Sequence, residues 1–214
     1  MKKKSGINVL FIYPNTFGMN MLPPAIAMFT AILKKAGHSV DIFDTTYYSV
    51  DHGIDSDGSK MEKLNVAPYS MEEKGIRLST NDWKKDLHKK VNKFKPDLIG
   101  ISSTEDMWEL AVKVLTEIKD YKIKNKVPVI AGGVFPTFAP DLCLKEDLVD
   151  IACVGEGENA LLDLCKRIKN KENYDNLTNC WVKTIGPEYL KDRNVIQKNP
   201  ISKPVDINQN PIID

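Results

Sequence analysis

The chain has 214 residues, with 30 Lys+Arg against 29 Asp+Glu and a formal net charge of +1. That length supports one domain with a proper core and a remainder. So balanced a charge gives no reason to expect nucleic acid or an anionic membrane as a partner. The Met1-Lys2-Lys3-Lys4 start resembles the n-region of a signal peptide, but the apolar run over 9–13 is too short for an h-region and no cleavage site follows. No segment is long enough to cross a bilayer. Cys143, Cys153, Cys165 and Cys180 show no close pairing, so reduced, packed thiols in a cytoplasmic protein are expected.

Residues 7–13 form a continuously apolar first strand, followed by a polar loop over 14–22 with Asn15, Thr16, Phe17 and Gly18. Pro23-Pro24 opens a helix. Its body, 25–35, is apolar on nearly every side and reads as buried; Gly37 ends it. A second strand over 40–43 ends at Asp44. Residues 45–80 are long, polar and interrupted by Gly53, Gly58, Pro68 and Gly75, which fits a functional lid or a disordered insertion. Trp83, Leu87, Val91 and Phe94 share one face of a helix over 81–94.

A third strand over 97–101 leads into Ser102-Ser103-Thr104 and a helix from Glu105 to about Lys122, where Ser102 and Glu105 have capping-box spacing. Its core stripe is Met107, Ala111, Val114, Leu115 and Ile118. The apolar run 127–131 is a buried strand that enters Gly132-Gly133 and a Pro-spaced loop to Pro140, with a short helix around 141–145. A fifth strand over 149–154 is followed by Gly155-Glu156-Gly157-Glu158 and a helix over 159–168 that turns Leu161, Leu164, Cys165 and Ile168 inward. Five strands alternating with helices predict a doubly wound α/β domain with a parallel sheet. This domain covers 1–170. Over 171–214, a strand at 177–182 can pair with 195–197 across Gly186-Pro187. The Pro-spaced remainder reads as an extended linker, so the chain is expected to be cut from something longer or to lack a second domain.

The informative loops all follow strand carboxyl ends, where open α/β sheets bind ligands. They offer small residues, hydroxyls and backbone N–H groups but few titratable groups, which suits a large ligand better than proton transfer. The Gly132-Gly133 pair either makes a tight turn or lets something flat lie close. Ser102, Ser103 and Thr104 either cap a helix or donate to a phosphate or amide. Glu156 and Glu158 either complement a helix dipole or act as acid and base. His38, His52 and His88 share no metal-site spacing. Walker, Gly-x-Gly-x-x-Gly and nucleophile-elbow patterns are absent where they would be needed.

Several residues together resemble a known family: the Pro-Pro helix after a polar loop, Gly100-Ile101-Ser102-Ser103, Gly132-Gly133-Val134-Phe135-Pro136-Thr137, and Val154-Gly155-Glu156-Gly157-Glu158. Over about 7–169 the chain is similar to the N-terminal cobalamin-binding domain of cobalamin-dependent radical S-adenosylmethionine enzymes of the methyltransferase type. The resemblance implies a flavodoxin-like sheet of order 2-1-3-4-5 and a corrinoid over the strand carboxyl ends, its nucleotide tail entering the sheet edge. It implies that Ser102, Ser103 and Thr104 line the tail or the corrin amides. Gly132, Gly133, Phe135 and Pro136 would lie under the ring and along the tail. Gly155 and Glu156 would close the far side, and Asn15, Thr16 and Phe17 would face the lower side of the ring.

The chain departs from related patterns in two places. The Asp-x-His-x-x-Gly motif of many cobalamin carriers is absent after the first strand; the nearest match, Asp86-Leu87-His88-Lys89-Lys90-Val91, lacks the Gly and lies on a helix. No Cys-x-x-x-Cys-x-x-Cys is present to hold a four-iron cluster. A 4Fe-4S cluster and S-adenosylmethionine would therefore come only through a radical S-adenosylmethionine barrel domain, in the same natural chain or in trans. The alternative is a non-catalytic flavodoxin-like interaction or regulatory domain that binds no corrinoid; a flavin carrier is a third option.

Overall fold

The computed structural model describes residues 6–16, 24–50, 63–65, 67, 70, 72–75, 77–185 and 194–212. Phe17, Gly18, the Gly186-Pro187 turn and, within 45–80, residues 51–62, 66, 68, 69, 71 and 76 lie outside them. Seven strands form one sheet: β1 (Asn8–Tyr13), β2 (Ser39–Asp44), β3 (Leu98–Ser102), β4 (Val129–Gly132), β5 (Ile151–Cys153), β6 (Cys180–Ile185) and β7 (Asn194–Lys198). Their order is β2-β1-β3-β4-β5-β6-β7. The first five are parallel, as expected, and β6 and β7 add an antiparallel hairpin onto β5. The hairpin thus continues the sheet instead of standing apart from it. Its first strand begins at Cys180, later than the expected 177.

Side chains of a strand alternate between faces, and the two cores follow that period. Val9 and Phe11 join one cluster, with α1 (Pro24–Lys35) and the carboxyl-terminal helix; Leu10 and Ile12 join the other, with α2 (Trp83–Phe94) and α3 (Trp108–Glu117). Trp83, Leu87 and Val91 are buried as the helical spacing requires, and Phe94 packs at the margin. Helix α1 is less enclosed than its composition suggests. It buries Ile26, Ala31, Ile32 and Leu33, while Ala27 to Thr30 are half-buried. The two ends of the 45–80 segment come together where Tyr48 bridges Ser79; Tyr48 also stacks on Phe43 and donates its hydroxyl to Asp86 at 3.0 Å.

Two expected helices are corrected. The one expected over 105–122 starts only at Trp108 and breaks at Ile118 into α3 and α4 (Lys119–Asn125). The Ser102–Glu105 capping box does not form: Met107 is the N-cap, without a side-chain cap bond, and Ser103 Oγ donates to its neighbour's carbonyl, Thr104 O, at 2.8 Å. The core stripe from Met107 to Ile118 is nonetheless buried throughout. The loop expected over 132–140 is instead helical: α5 (Val134–Phe138) runs into α6 (Pro140–Cys143), which replaces the helix expected around 141–145. Pro136 is the third residue of α5, where its missing N–H has no intrahelical partner to lose. The last helix, α7 (Glu158–Asn170), buries Leu161, Leu164 and Cys165.

Candidate functional site

The carboxyl ends of β3 and β4 are in register, Ser102 opposite Gly132. The chain then turns through Gly133, whose φ of 99° lies where glycine is favoured. A Cβ on Gly133 would stand 2.8 Å from Ser103 O and 3.0 Å from Ser103 N, so the α5 turn can press against the residues after β3 only because that atom is missing. Phe135 N–H donates to Ser103 O at 3.3 Å, and the Phe135 ring meets Trp108 at 4.9 Å. Thr137 Oγ1 donates to Gly133 O at 2.8 Å and accepts from Gly155 N–H at 3.3 Å. This hydroxyl links the loop after β4 to the loop after β5.

Between these loops and helices α1 and α7 lies a cavity of about 330 Å³, at the small end of the range for ligand sites, about 300–1,000 Å³. Phe11 and Phe29, stacked 6.2 Å apart, line it together with Leu161 and Cys153. Gly100 and Gly157 admit those rings: a Cβ on Gly100 would meet the Phe11 ring at 2.7 Å, and one on Gly157 would meet Phe29 at 2.9 Å. Exposed Val134 and Phe138 stand at the margin. Glu158 Oε2 is buried among the lining residues without a hydrogen-bond partner.

Of the residues expected at the site, Ser102, Gly132, Gly133, Gly155 and Glu156 line the cavity. Ser103 and Pro136 are buried behind it, Thr104 is exposed, and Phe135 packs on Trp108. Asn15 and Thr16 are buried at the ends of β1 and β2; Asn15 N–H donates to Thr45 Oγ1 at 2.8 Å and its Nδ2 to Thr46 Oγ1 at 2.9 Å. Glu156 also has a structural hold on the tail: its carboxylate accepts from Val205 N–H, and its carbonyl accepts from Asn179 Nδ2 at 2.8 Å. Sequence reasoning missed Phe11, Phe29, Leu161 and Cys153 because they read as ordinary core. His88 lies at the opposite edge of the sheet, paired with Glu117 at 2.9 Å. No cluster of metal-ligating side chains occurs among the described residues.

Residues 62–165 match the family model described as the B12 binding domain. That segment is just under half of the chain. The chain is 27% identical over 143 residues to cytidylyl-2-hydroxyethylphosphonate methyltransferase of Streptomyces wedmorensis, a match over 65% of this chain and 23% of that relative. Its fold is shared by the radical S-adenosylmethionine methyltransferase TsrM of Kitasatospora setae, solved with cobalamin and a [4Fe-4S] cluster (19% identity, TM-score 0.64, 96% of this chain and 31% of that one). It is shared too by OxsB, a cobalamin-dependent S-adenosylmethionine radical enzyme solved with aqua-cobalamin and S-adenosylmethionine (18% identity, TM-score 0.62, 95% of this chain and 23% of that one). The chain thus spans about a quarter of the curated relative's length.

The cavity at the strand carboxyl ends has a size and lining that fit part of cobalamin. The cavity is a slot for a flat aromatic base and not for a whole corrin, with aromatic rings along it and glycines where Cβ atoms would intrude. Glu158 Oε2 stands among the lining residues as a buried acceptor without a partner. No helix among the described residues is long and apolar enough to cross a membrane.

Proposed function

We propose that this domain holds cobalamin for a radical S-adenosylmethionine enzyme of the methyltransferase type, with the nucleotide tail in the cavity and the corrin over the strand carboxyl ends. The observation that carries the reading is the apolar slot beside Gly133, within the segment that matches the B12 binding domain. Gly132 and Gly133 would let the tail pass close to backbone, Phe11 and Phe29 would sandwich or abut its base, and Glu158 would accept from its sugar. Ser102, Gly155 and Glu156 would line the slot. For Asn15, Thr16, Ser103, Thr104, Phe135 and Pro136 the reading is indirect: they hold the loops that carry the ring. When bound, cobalamin supplies a cobalt centre that can accept and pass on a methyl group.

In this reading the slot, lined by Phe11 and Phe29, would hold the benzimidazole base. The β6–β7 hairpin belongs to the cofactor domain's sheet, and the segment after it would bridge to a barrel domain that brings the three-cysteine motif. The test is the absorption spectrum of the purified protein with methylcobalamin. A shift to the base-off form supports the reading; no binding, or base-on binding, overturns it. After anaerobic iron–sulfur reconstitution, residues 1–214 alone should yield no 5′-deoxyadenosine, and production should need the barrel domain.

A further inference from the structure

The cavity wall contains one thiol, Cys153, that is paired in the sheet with a second, Cys180, and cofactor binding uses neither. Cys153 ends β5, Cys180 begins β6, and the two are direct partners in the antiparallel register. Nearby bonds fix the alternation of this ladder: Val154 N–H donates to Asn179 O at 2.7 Å, and Lys183 N–H to Asp150 O at 2.9 Å. Pairs 150/183, 152/181 and 154/179 are therefore the hydrogen-bonded positions, and 153/180 is a non-hydrogen-bonded one. The Cys180 carbonyl fits that assignment, turning away from β5 to accept from Asn199 N–H and Nδ2. At such positions Cα atoms stand about 4.5 Å apart with the side chains at their closest, within the roughly 4.4–6.8 Å that a disulfide spans.

Both side chains belong to the core cluster under α1 and α7. Contact with the Cys153 thiol and burial push the Cys180 thiol far up. Cys153 is the one that lines the cavity. The other two cysteines are poorly placed: Cys143 lies in the cluster on the opposite face of the sheet, Cys165 is enclosed in α7, and burial pushes both thiols up to about 12. All four are free thiols.

We propose that Cys153 and Cys180 are a redox dithiol opening onto the cofactor cavity, oxidised by small disulfides that reach Cys153 through it. Cys153 loses its proton, and its sulfur attacks one sulfur of the small disulfide, expelling one thiolate and leaving a mixed disulfide. Cys180 then loses its proton and attacks the Cys153 sulfur, expelling the second thiolate. Both thiolates take up the released protons. The protein's two thiols are oxidised as one external disulfide is reduced to two thiols. Cys153 also touches the loop after β5, its Sγ 3.9 Å from Glu156 O, so drawing it toward β6 alters the cavity wall. A ligand in the cavity covers Cys153; that consequence rests on the cobalamin reading.

The test treats reduced 214-residue protein with 2-hydroxyethyl disulfide, in the dark, with and without methylcobalamin, then alkylates and maps the peptides. One disulfide, Cys153–Cys180, is expected, with Cys143 and Cys165 alkylated. Four alkylated cysteines, or any other pair, overturns the proposal. Cys180→Ser should stop at a mixed disulfide on Cys153, and a label elsewhere also overturns it. In protein whose spectrum shows bound cobalamin, oxidation should slow by about tenfold or more because access to the attacking sulfur is blocked. An unchanged rate there overturns the placement of Cys153 on the cofactor cavity. If no cobalamin binds, the cofactor reading fails, and the peptide map of the untreated arm still decides the dithiol.

Discussion

The two edges of the sheet each carry a hollow, and the larger one is not the better site. The amino-end hollow, between the starts of β3 and β4 and the ends of α2, α4 and α7, measures about 1,110 Å³ against about 330 Å³ at the carboxyl end. Several polar groups in and beside it are already engaged with neighbours. Asp97 accepts from Asn8 N–H at 2.8 Å, Asp150 accepts from Val129 N–H at 2.7 Å and pairs with Lys122 at 3.0 Å, and Glu117 is held by Lys84 and His88. Three helices end there in lysines with left-handed backbone, Lys95, Lys126 and Lys171. The carboxyl edge is the reverse: glycines where Cβ atoms would collide, aromatic walls and one buried carboxylate oxygen with nothing to accept. A latch has spent its hydrogen bonds on itself, whereas a binding site has kept some back.

The strongest way to break this contrast is Gly133→Leu. The added Cβ would fall 2.8 Å from backbone oxygen at a φ of 99° and the side chain would fill the slot. Cobalamin binding should be lost in an equilibrium titration, while Lys124→Ala at the amino edge should titrate like the parent. Equal binding by both would place the corrinoid elsewhere. Glu158→Ala should have a smaller effect. An unmade buried hydrogen bond costs about 1–3 kcal/mol, so affinity for intact cobalamin should fall by about 5- to 150-fold. Affinity for cobinamide, which lacks the nucleotide tail, should stay the same. A parallel loss for cobinamide would show that Glu158 serves the fold and not the tail.

The parallel strands were readable because a strand buried on both faces is a continuous apolar run, and the strand carboxyl ends then located the site. The helical starts were less readable. Ser102 and Glu105 have the spacing of a cap, but the chain stays extended through Thr104 and the helix begins after Met107. Pro136 reads as a helix breaker, yet in a first turn it breaks nothing. The slot itself was hidden because Phe11, Phe29 and Leu161 differ from other core residues only in what is missing beside them. Only the missing Cβ atoms of Gly100 and Gly157 hint at it, and their partners lie 89 and 128 residues away by number, since Gly100 meets Phe11 and Gly157 meets Phe29. No local pattern reports such a pairing.

The amino edge should respond to changes in backbone strain without any change in cofactor binding. Lys126 caps α4 with φ 53° and ψ 42°, and its backbone N–H reaches Ile123 O. Glycine is the residue this conformation favours. Lys126→Gly should raise the unfolding free energy by about 0.5–1 kcal/mol, the left-handed penalty removed less the added unfolded-state entropy. Denaturant titration checks the gain. A changed cobalamin affinity in the same variant would mean that the two edges are coupled, against the contrast drawn above.

The smallest expected effect is a pH dependence at that same edge. His38 follows α1, and its Nδ1 accepts from Ile7 N–H at 3.2 Å, just before β1. Burial first, and then the nearby Lys169 charge, lower its pKa from the ordinary histidine value. The neutral ring is therefore the folded form, and it is the form that can accept from Ile7. With the folded pKa below the unfolded one, the unfolded chain binds the proton more readily. The contribution of His38 to stability is present above the unfolded pKa, near 6.5, and is lost as pH falls through the folded value. His38→Gln keeps a side-chain acceptor without the titration. Chemical denaturation between pH 7.5 and about pH 5, the window set by the lowered histidine pKa, should show the parent losing more stability than His38→Gln. Identical slopes would mean that the Ile7 contact does not depend on the charge of the ring.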